Sequence, residues 1–346
     1  MGDYATPAQP PGRATLSDVA ALAGVSPKTA SRALNGHAGV SPDARERVEQ
    51  AALKLRFRPN GLAKELRSGG VSSVVGLIVA DISNPFFSRL AASVESALQP
   101  GGLELVIGST GEDPQRERDL VRSFVERRAR ALLVVPASEN HRYLQFEASI
   151  GTPIVFIDRP PVGLSVDVVM GDNIGAAQEV TRALIAAGHE RIGVLADIPQ
   201  AWTAKERLAG VLAVLRESGH PDAEALVRRG AHTPLLASDQ MRELLALPDP
   251  PTAVFALNNL STLGALRTLR EVGAAVTVVG FDDSDSADLL DVSVVATDPD
   301  LLGRRVAELA LARIAGADHP PVTEVLPTPL IVRTPLDRPL SFNSRA

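Results

Sequence analysis

Polar side chains able to do chemistry gather in this sequence just after apolar runs. Asp81-Ile-Ser-Asn84-Pro-Phe86-Phe87 follows Val74 to Ala80, and Asp158-Arg159 follows Pro153 to Ile157. Asn258-Asn259 follows Ala253 to Leu257, and Asp282-Asp283 follows Val278 to Phe281. Arg207 opens an amphipathic stretch at Glu206-Arg-Leu-Ala-Gly210. Carboxylates accept hydrogen bonds, a guanidinium donates them and an amide does both, while Phe86 and Phe87 offer flat apolar faces. That inventory suits a small sugar-like ligand, whose hydroxyls need paired donors and acceptors. Singly, each residue has a plainer role: Asn84 and strand-end acids can cap the next helix, and Arg207 can pair with acids near Glu206. Their common position, at one end of successive strands, favours a shared site.

A second chemistry is carried by Thr15 to Asn35. Leu16, Val19, Ala20 and Ala23 recur at helical spacing, as do Thr29, Ala30, Ala33 and Leu34, giving two short helices with one apolar stripe each. Gly24 can take the left-handed conformation that ends the first helix, and Ser26-Pro27 caps and starts the second. The outward set is then Pro27, Lys28, Thr29, Ser31 and Arg32, which suits the phosphates and base edges of a DNA major groove. An ordinary surface hairpin would share the turn but has no need of this cationic face.

The elements that must hold these residues follow from the pattern. Ser41-Pro42-Asp43 caps a third helix through Val48, Ala52 and Leu55, closing a three-helix unit near Phe57. Asn60 can cap one or two further turns, a length unstable alone in water. Beyond Ser73, apolar strands (74–80, 103–108, 131–135, 153–157, 192–196, 253–257, 276–279) alternate with helices (85–98, 114–128, 176–187, 204–218, 261–272, 301–315), with last strands near 324–332. Such alternation means parallel sheets covered on both faces, with ligands outside the carboxyl ends of the strands.

Thr15 to Asn35, Gly39-Val-Ser-Pro-Asp-Ala-Arg-Glu-Arg-Val48 and Arg58-Pro-Asn60 with Ala63 and Leu66 together resemble the headpiece and hinge of the lactose-repressor type (LacI/GalR) of bacterial transcription regulators. The resemblance runs almost to the C-terminus. It implies an all-α helix-turn-helix headpiece on an α/β core of two lobes with parallel sheets, similar to type I periplasmic binding proteins. The expected layout is a disordered tail at 1–13, the headpiece at 14–58, a hinge helix at 59–70, the effector-binding and dimerisation core at 71–340 and a tail at 341–346. The N-lobe is expected over about 71–170 and 298–325, the C-lobe over about 171–296 and 326–340. Operator contacts are expected from Thr15, Ser26, Pro27, Lys28, Thr29, Ser31, Arg32, Asn35 and Asn60, with Leu66 matching the leucine that wedges into the minor groove. Asp158, Arg207, Asn258 and Asp282 match effector-contacting positions, and Phe86, near Asn84, lies in the matching aromatic segment; Arg159 adjoins Asp158. Departures fall at Asn259, where the family often has Asp, at His232, near a common stacking aromatic, and at Thr297, in place of a frequent Gln. Trp202, the only tryptophan, could take over the stacking role.

Charge and composition bound the alternatives. The net charge of −6 hides an asymmetry: Arg13 to Ser68 carries ten Lys/Arg against five acids, while residues from Gly69 onward carry 25 basic against 35 acidic side chains. A basic module joined to an acidic body fits a DNA-binding head on a body that should avoid DNA. Absence of cysteine excludes disulfides, thiolate metal sites and cysteine nucleophiles. No secretory signal pattern or membrane-length apolar run is seen, so a cytoplasmic protein is expected. The expected partners are operator DNA, a small sugar-like effector and a second copy of the chain; no heptad-patterned helix follows Leu340, which favours a dimer. A solute-binding protein of transport shares the body but requires export. An enzyme would need more than Asp282-Asp283-Ser284-Asp285, which lacks calcium-loop spacing, and no phosphate loop or nucleophile elbow occurs. No cofactor, metal or catalytic residue is expected.

Overall fold

The computed structural model describes residues 14–34, 36–37, 39–57, 72–220 and 223–340. Asn35 and the expected hinge, with Asn60 and Leu66, lie outside them, as do both tails. The chain divides into two compact units between Ser72 and Ser73.

Among its described residues the first unit has three helices, α1 (Leu16–Ala23), α2 (Pro27–Leu34) and α3 (Pro42–Lys54). A capping box starts α1: the Asp18 amide donates to Thr15 Oγ1 at 3.3 Å, and the Thr15 amide donates to the Asp18 carboxylate at 2.8 Å. Gly24, at φ 64°, ends it in the left-handed conformation that glycine takes without a Cβ clash. The core is small: Val19, Ala20, Ala23, Ala30, Ala33, Val48 and Ala51. Alanines let the helix axes approach closely, and Arg45 compensates for the thin core by donating to the Ala33 and His37 carbonyls at 3.1 and 3.0 Å.

The second unit holds two six-stranded sheets. One contains β1 (Val74–Val79), β2 (Glu104–Ser109), β3 (Ala131–Val134), β4 (Ile154–Ile157), β5 (Asp167–Gly171) and β11 (Thr323–Leu326), in the order β11-β5-β4-β3-β1-β2. The other contains β6 (Ile192–Ala196), β7 (Val227–Arg229), β8 (Ala253–Ala256), β9 (Thr277–Phe281), β10 (Ser293–Val295) and β12 (Leu330–Ile331), in the order β12-β10-β9-β8-β6-β7. Every pairing between these strands is parallel except β10 with β12. The interior strands are buried apart from Val74 and Met170, which are partly buried, as helices on both faces require.

Helices α4 (Pro85–Leu98), α5 (Pro114–Glu126), α6 (Gln145–Ser149) and α12 (Pro299–Ile314) serve the first lobe. The second lobe has α7 (Asn173–Ala186), α8 (Trp202–Glu217), α9 (Pro234–Leu245), α10 (Asn259–Val272) and α11 (Asp285–Leu289). Several helices begin two or three residues earlier than apolar periodicity indicates, because polar caps precede it: Asp172 for α7, Asn258 for α10 and Asp298 for α12. Strands β5, β7 and β10 and helices α6, α9 and α11 escape the periodicity reading. Five of them are five residues or shorter; α9 is a full helix that the reading leaves unassigned between Ser218 and Ala253.

The chain passes between lobes after β5, after β10 and after β11. These passages are tied together: Thr297 and Thr328 share a hydroxyl hydrogen bond of 3.0 Å, and the Asp172 amide donates to Thr328 Oγ1 at 3.0 Å. Only glycine fits at position 171 beside them, where a Cβ would lie 2.0 Å from Thr297 Oγ1.

Candidate functional site

A cavity of about 100 Å³ lies between the two lobes, at the carboxyl ends of the strands. From the first lobe it is lined by Asp81, Asn84, Phe86, Phe87, Glu112, Asp158 and Arg159. From the second come Asp197, Thr203, Arg207, His232, Asn258, Leu260 and Asp282. Eight of the residues expected at an effector site therefore converge: Asn84, Phe86, Asp158, Arg159, Arg207, His232, Asn258 and Asp282.

Trp202 and Thr297 do not line it. Trp202 is five residues before Arg207, roughly 140° away around a helix, so the two side chains leave different faces. Thr203, at the i−4 position, shares the Arg207 face and lines the wall instead. Thr297 is spent on the interlobe passage through its bond to Thr328.

The second-lobe wall is built around Arg207, 7% exposed. Its Nε donates to Asn173 Oδ1 at 2.8 Å, and its Nη1 donates to the Leu257 carbonyl at 2.8 Å and Asp282 Oδ2 at 3.2 Å. The guanidinium also lies 3.6 Å from the centroid of the Phe281 ring, a cation–π contact. The first-lobe wall repeats the pairing: Arg159 donates to both Glu112 carboxylate oxygens at 2.7 and 2.6 Å, and to the Pro136 carbonyl at 2.8 Å. Burial pushes the Asp158 and Asp282 carboxyls up, against the downward pull of the arginines.

Backbone geometry presents these acids. Asp158 and Asp282 each follow a central strand at positive φ, 67° and 64°. Each amide donates to the neighbouring strand, Asp158 to the Val169 carbonyl at 2.8 Å and Asp282 to the Val295 carbonyl at 2.9 Å. Glu112 is a third lining residue at positive φ, 62°. Aspartate tolerates this region better than most residues, whereas glutamate there is uncommon.

A third cluster joins Asp197, His232 and Asn258. Asp197 Oδ1 lies 3.0 Å from His232 Nδ1, and Asn258 Nδ2 donates to Asp197 Oδ2 at 2.7 Å. Asn258 also caps α10, accepting from the Ser261 amide at 2.6 Å, so capping and lining are one arrangement. At the cleft mouth Asn84 and Asn259 exchange amide hydrogen bonds of 3.2 and 2.7 Å across the lobes. An aspartate at 259 could accept from Asn84 but could not return the bond.

The hydrogen bond to Asp197 raises the His232 pKa above its ordinary 6.5, with burial opposing. For Asp197 burial pushes upward, but bonds from His232, the Ile198 amide and Asn258 hold the carboxyl below its ordinary 3.8. A raised histidine pKa stabilises the fold fully below 6.5, and that contribution is lost as pH rises through the raised value. The aspartate contribution is present above 3.8 and lost as pH falls through the lowered value. The melting-temperature advantage of the native chain over His232→Gln is therefore expected to be full near pH 6 and to shrink towards pH 8.5; an advantage constant across that range would contradict the charged pair.

Asp81 and Phe87, in the stretch that follows β1, line the cavity with Asn84 and Phe86, whereas Glu112, Asp197, Thr203 and Leu260 are not among the sequence-derived candidates. Glu112 and Asp197 were within reach, since both stand just past the carboxyl ends of parallel strands, β2 and β6.

On the helical unit, Ser26, Pro27, Lys28 and Arg32 are exposed, while Thr29 and Ser31 are half-buried. Ser26 Oγ accepts from the Thr29 amide at 3.1 Å, so Ser26 and Thr29 frame the start of α2. Lys28 and Arg32, at i and i+4, share one face of that helix. Thr15 is exposed and held by its bonds to Asp18. Among the described residues no group of three or more His, Cys, Asp or Glu could hold a metal ion, and no helix is long and apolar enough to cross a membrane.

Two family descriptions match. "Periplasmic binding proteins and sugar binding domain of LacI family" covers residues 72–333, and "Bacterial regulatory proteins, lacI family" covers residues 15–60. The chain is 34% identical over 305 residues to the HTH-type transcriptional regulator GalS of Salmonella typhimurium, covering 87% of each. Among solved structures it is similar to a complex of the transcriptional regulator CelR with cellobiose, at 33% identity and a TM-score of 0.67, covering 93% of this chain and 100% of that one. It is also similar to the lac repressor dimer bound to operator and the anti-inducer ONPF, at 26% identity and a TM-score of 0.74, covering 93% of this chain and 99% of that one.

Proposed function

This chain belongs to the LacI family of bacterial regulatory proteins and is a DNA-binding transcriptional regulator, and from that premise we propose that it is a cytoplasmic, homodimeric repressor released from or driven onto its operator by a small sugar-like effector. The observation that carries the reading is the pairing of two sites in one chain: a helix face bearing Lys28 and Arg32, and a buried cavity walled by carboxylates and arginines. Two headpieces brought together by a dimer would read two half-sites, their spacing set by the dimer. Effector held between the lobes favours their closed arrangement, and whatever affinity it gains or loses with operator bound, operator gains or loses with effector bound. A transport protein has no use for the helical headpiece, and the relatives named above are transcriptional regulators, which favours this reading over an enzyme.

The test separates the sites. Arg32→Ala is expected to weaken operator binding in a gel shift while leaving the thermal shift by an effector sugar intact. Asp282→Ala is expected to abolish that thermal shift while preserving operator binding. Loss of both functions in both variants would refute the division of labour.

A further inference from the structure

We propose that Glu112 makes the interlobe cavity selective against anions, so that the effector is an uncharged polyol about the size of a single sugar ring and phosphorylated or acidic sugars are rejected. The inference rests on the cavity being the effector site, and adds to it the chemical class admitted there.

An arginine in a ligand pocket ordinarily invites a phosphate or carboxylate, because its fork matches two oxygens at once. Here that fork is already filled. Both Arg159 Nη atoms reach Glu112, at 2.7 and 2.6 Å, and side-chain exposures of 7% and 14% keep water from loosening the pair. Arg207 is likewise occupied by Asp282. Counting the wall, the carboxylates are Asp81, Glu112, Asp158, Asp197 and Asp282, against two guanidinium groups and His232. An entering anion would meet like charge at short range with little solvent to screen it.

What remains available favours hydroxyl groups. Asp158 comes no closer to Arg159 Nε than 3.9 Å, so its carboxylate is not consumed by that guanidinium. A ligand hydroxyl can donate to the Asp158 carboxylate on the cavity wall, which a phosphate dianion cannot do. Size points the same way, since about 100 Å³ is below the roughly 300 Å³ at which drug-sized pockets begin. Glu112 sits at φ 62° after Gly111, a conformation uncommon for glutamate, yet one that aims its carboxylate at Arg159.

The test is a thermal-shift titration of the full chain with ribose, fructose and galactose, and with ribose 5-phosphate and fructose 1-phosphate. The native chain is expected to respond to an uncharged sugar and to neither phosphate. E112Q keeps the shape but frees the fork, and is expected to bind a sugar phosphate roughly tenfold or more tighter than the native chain does. The double variant E112Q/R159M should lose that gain, and E112A should reproduce it if the glutamine variant folds poorly. The gain is read whether or not the panel includes the natural effector. A sugar phosphate that binds the native chain as well as its parent sugar, and alters operator binding, overturns the selectivity while leaving the effector reading standing. If native chain and E112Q ignore every compound while operator binding is intact, both fall.

Discussion

Replacing Arg207 by methionine is expected to abolish effector binding and to cost the core about 3–5 kcal/mol at neutral pH, the usual penalty for leaving a buried partner uncompensated. Arg207 joins Asn173 at the start of α7, the Leu257 carbonyl at the end of β8 and Asp282 after β9, so its loss orphans acceptors on three elements. The largest share falls on Asp282, 8% exposed, whose carboxyl is already pushed up by burial and would rise further without the guanidinium. An acid whose folded pKa exceeds its unfolded value destabilises the fold as pH rises above the unfolded value. The variant should therefore lie nearer to native stability at pH 5 than at pH 8. Urea unfolding at both values checks this, and Arg207→Met with Asp282→Asn should regain stability without regaining effector binding. An equal deficit at both pH values would mean that lost packing on Phe281, not the stranded carboxylate, dominates.

Gly264→Val is the second large effect, and it acts without touching the cavity. Gly264 lies where α10 crosses α9, and a Cβ there would sit 2.5 Å from the Pro234 carbonyl oxygen and 2.6 Å from the Ala237 Cβ. Glycine in a helix gives up about 1 kcal/mol against alanine. Overpacking typically costs 1–3 kcal/mol, and more when the obstacle is backbone, as here. The steric term wins. Valine, with two further carbons, should lower stability by about 3 kcal/mol or more, seen as a lower urea midpoint. Gly264→Ala should show a smaller loss of the same sign; a stabilised alanine variant would mean the helices separate readily.

Much of the architecture was legible because parallel strands buried on both faces read as near-continuous apolar runs, as at Val74 to Val79 and Ile192 to Ala196. The cavity was legible for a related reason. When strands run parallel, the carboxyl ends within a sheet share one edge, so Asn258 and Asp282, after β8 and β9, had to lie together once the strands were recognised, and Asp158 meets them from the same edge of the other lobe's sheet. What stayed hidden depends on angle or on distant partners. Trp202 and Thr203 are adjacent in sequence, and only the turn of α8 decides which faces the ligand. Nothing local marks Glu112 as the partner of Arg159, 47 residues away, or Asn84 as the partner of Asn259, 175 residues away. The Asn259 departure, unexplained by sequence, becomes intelligible through that reciprocal amide bond.

The matching left-handed turns at Asp158 and Asp282 give the two lobes equivalent jaws, each offering a carboxylate from the same kink beside the same kind of strand. A molecule with hydroxyls on opposite edges can be gripped by both and draw them together. One with hydroxyls along a single edge can engage only one jaw and hold the space without closing it. Singly deoxygenated sugars should thus divide into agonists and competitive antagonists according to whether the lost hydroxyl was one that a jaw grips, while both kinds occupy the same cavity.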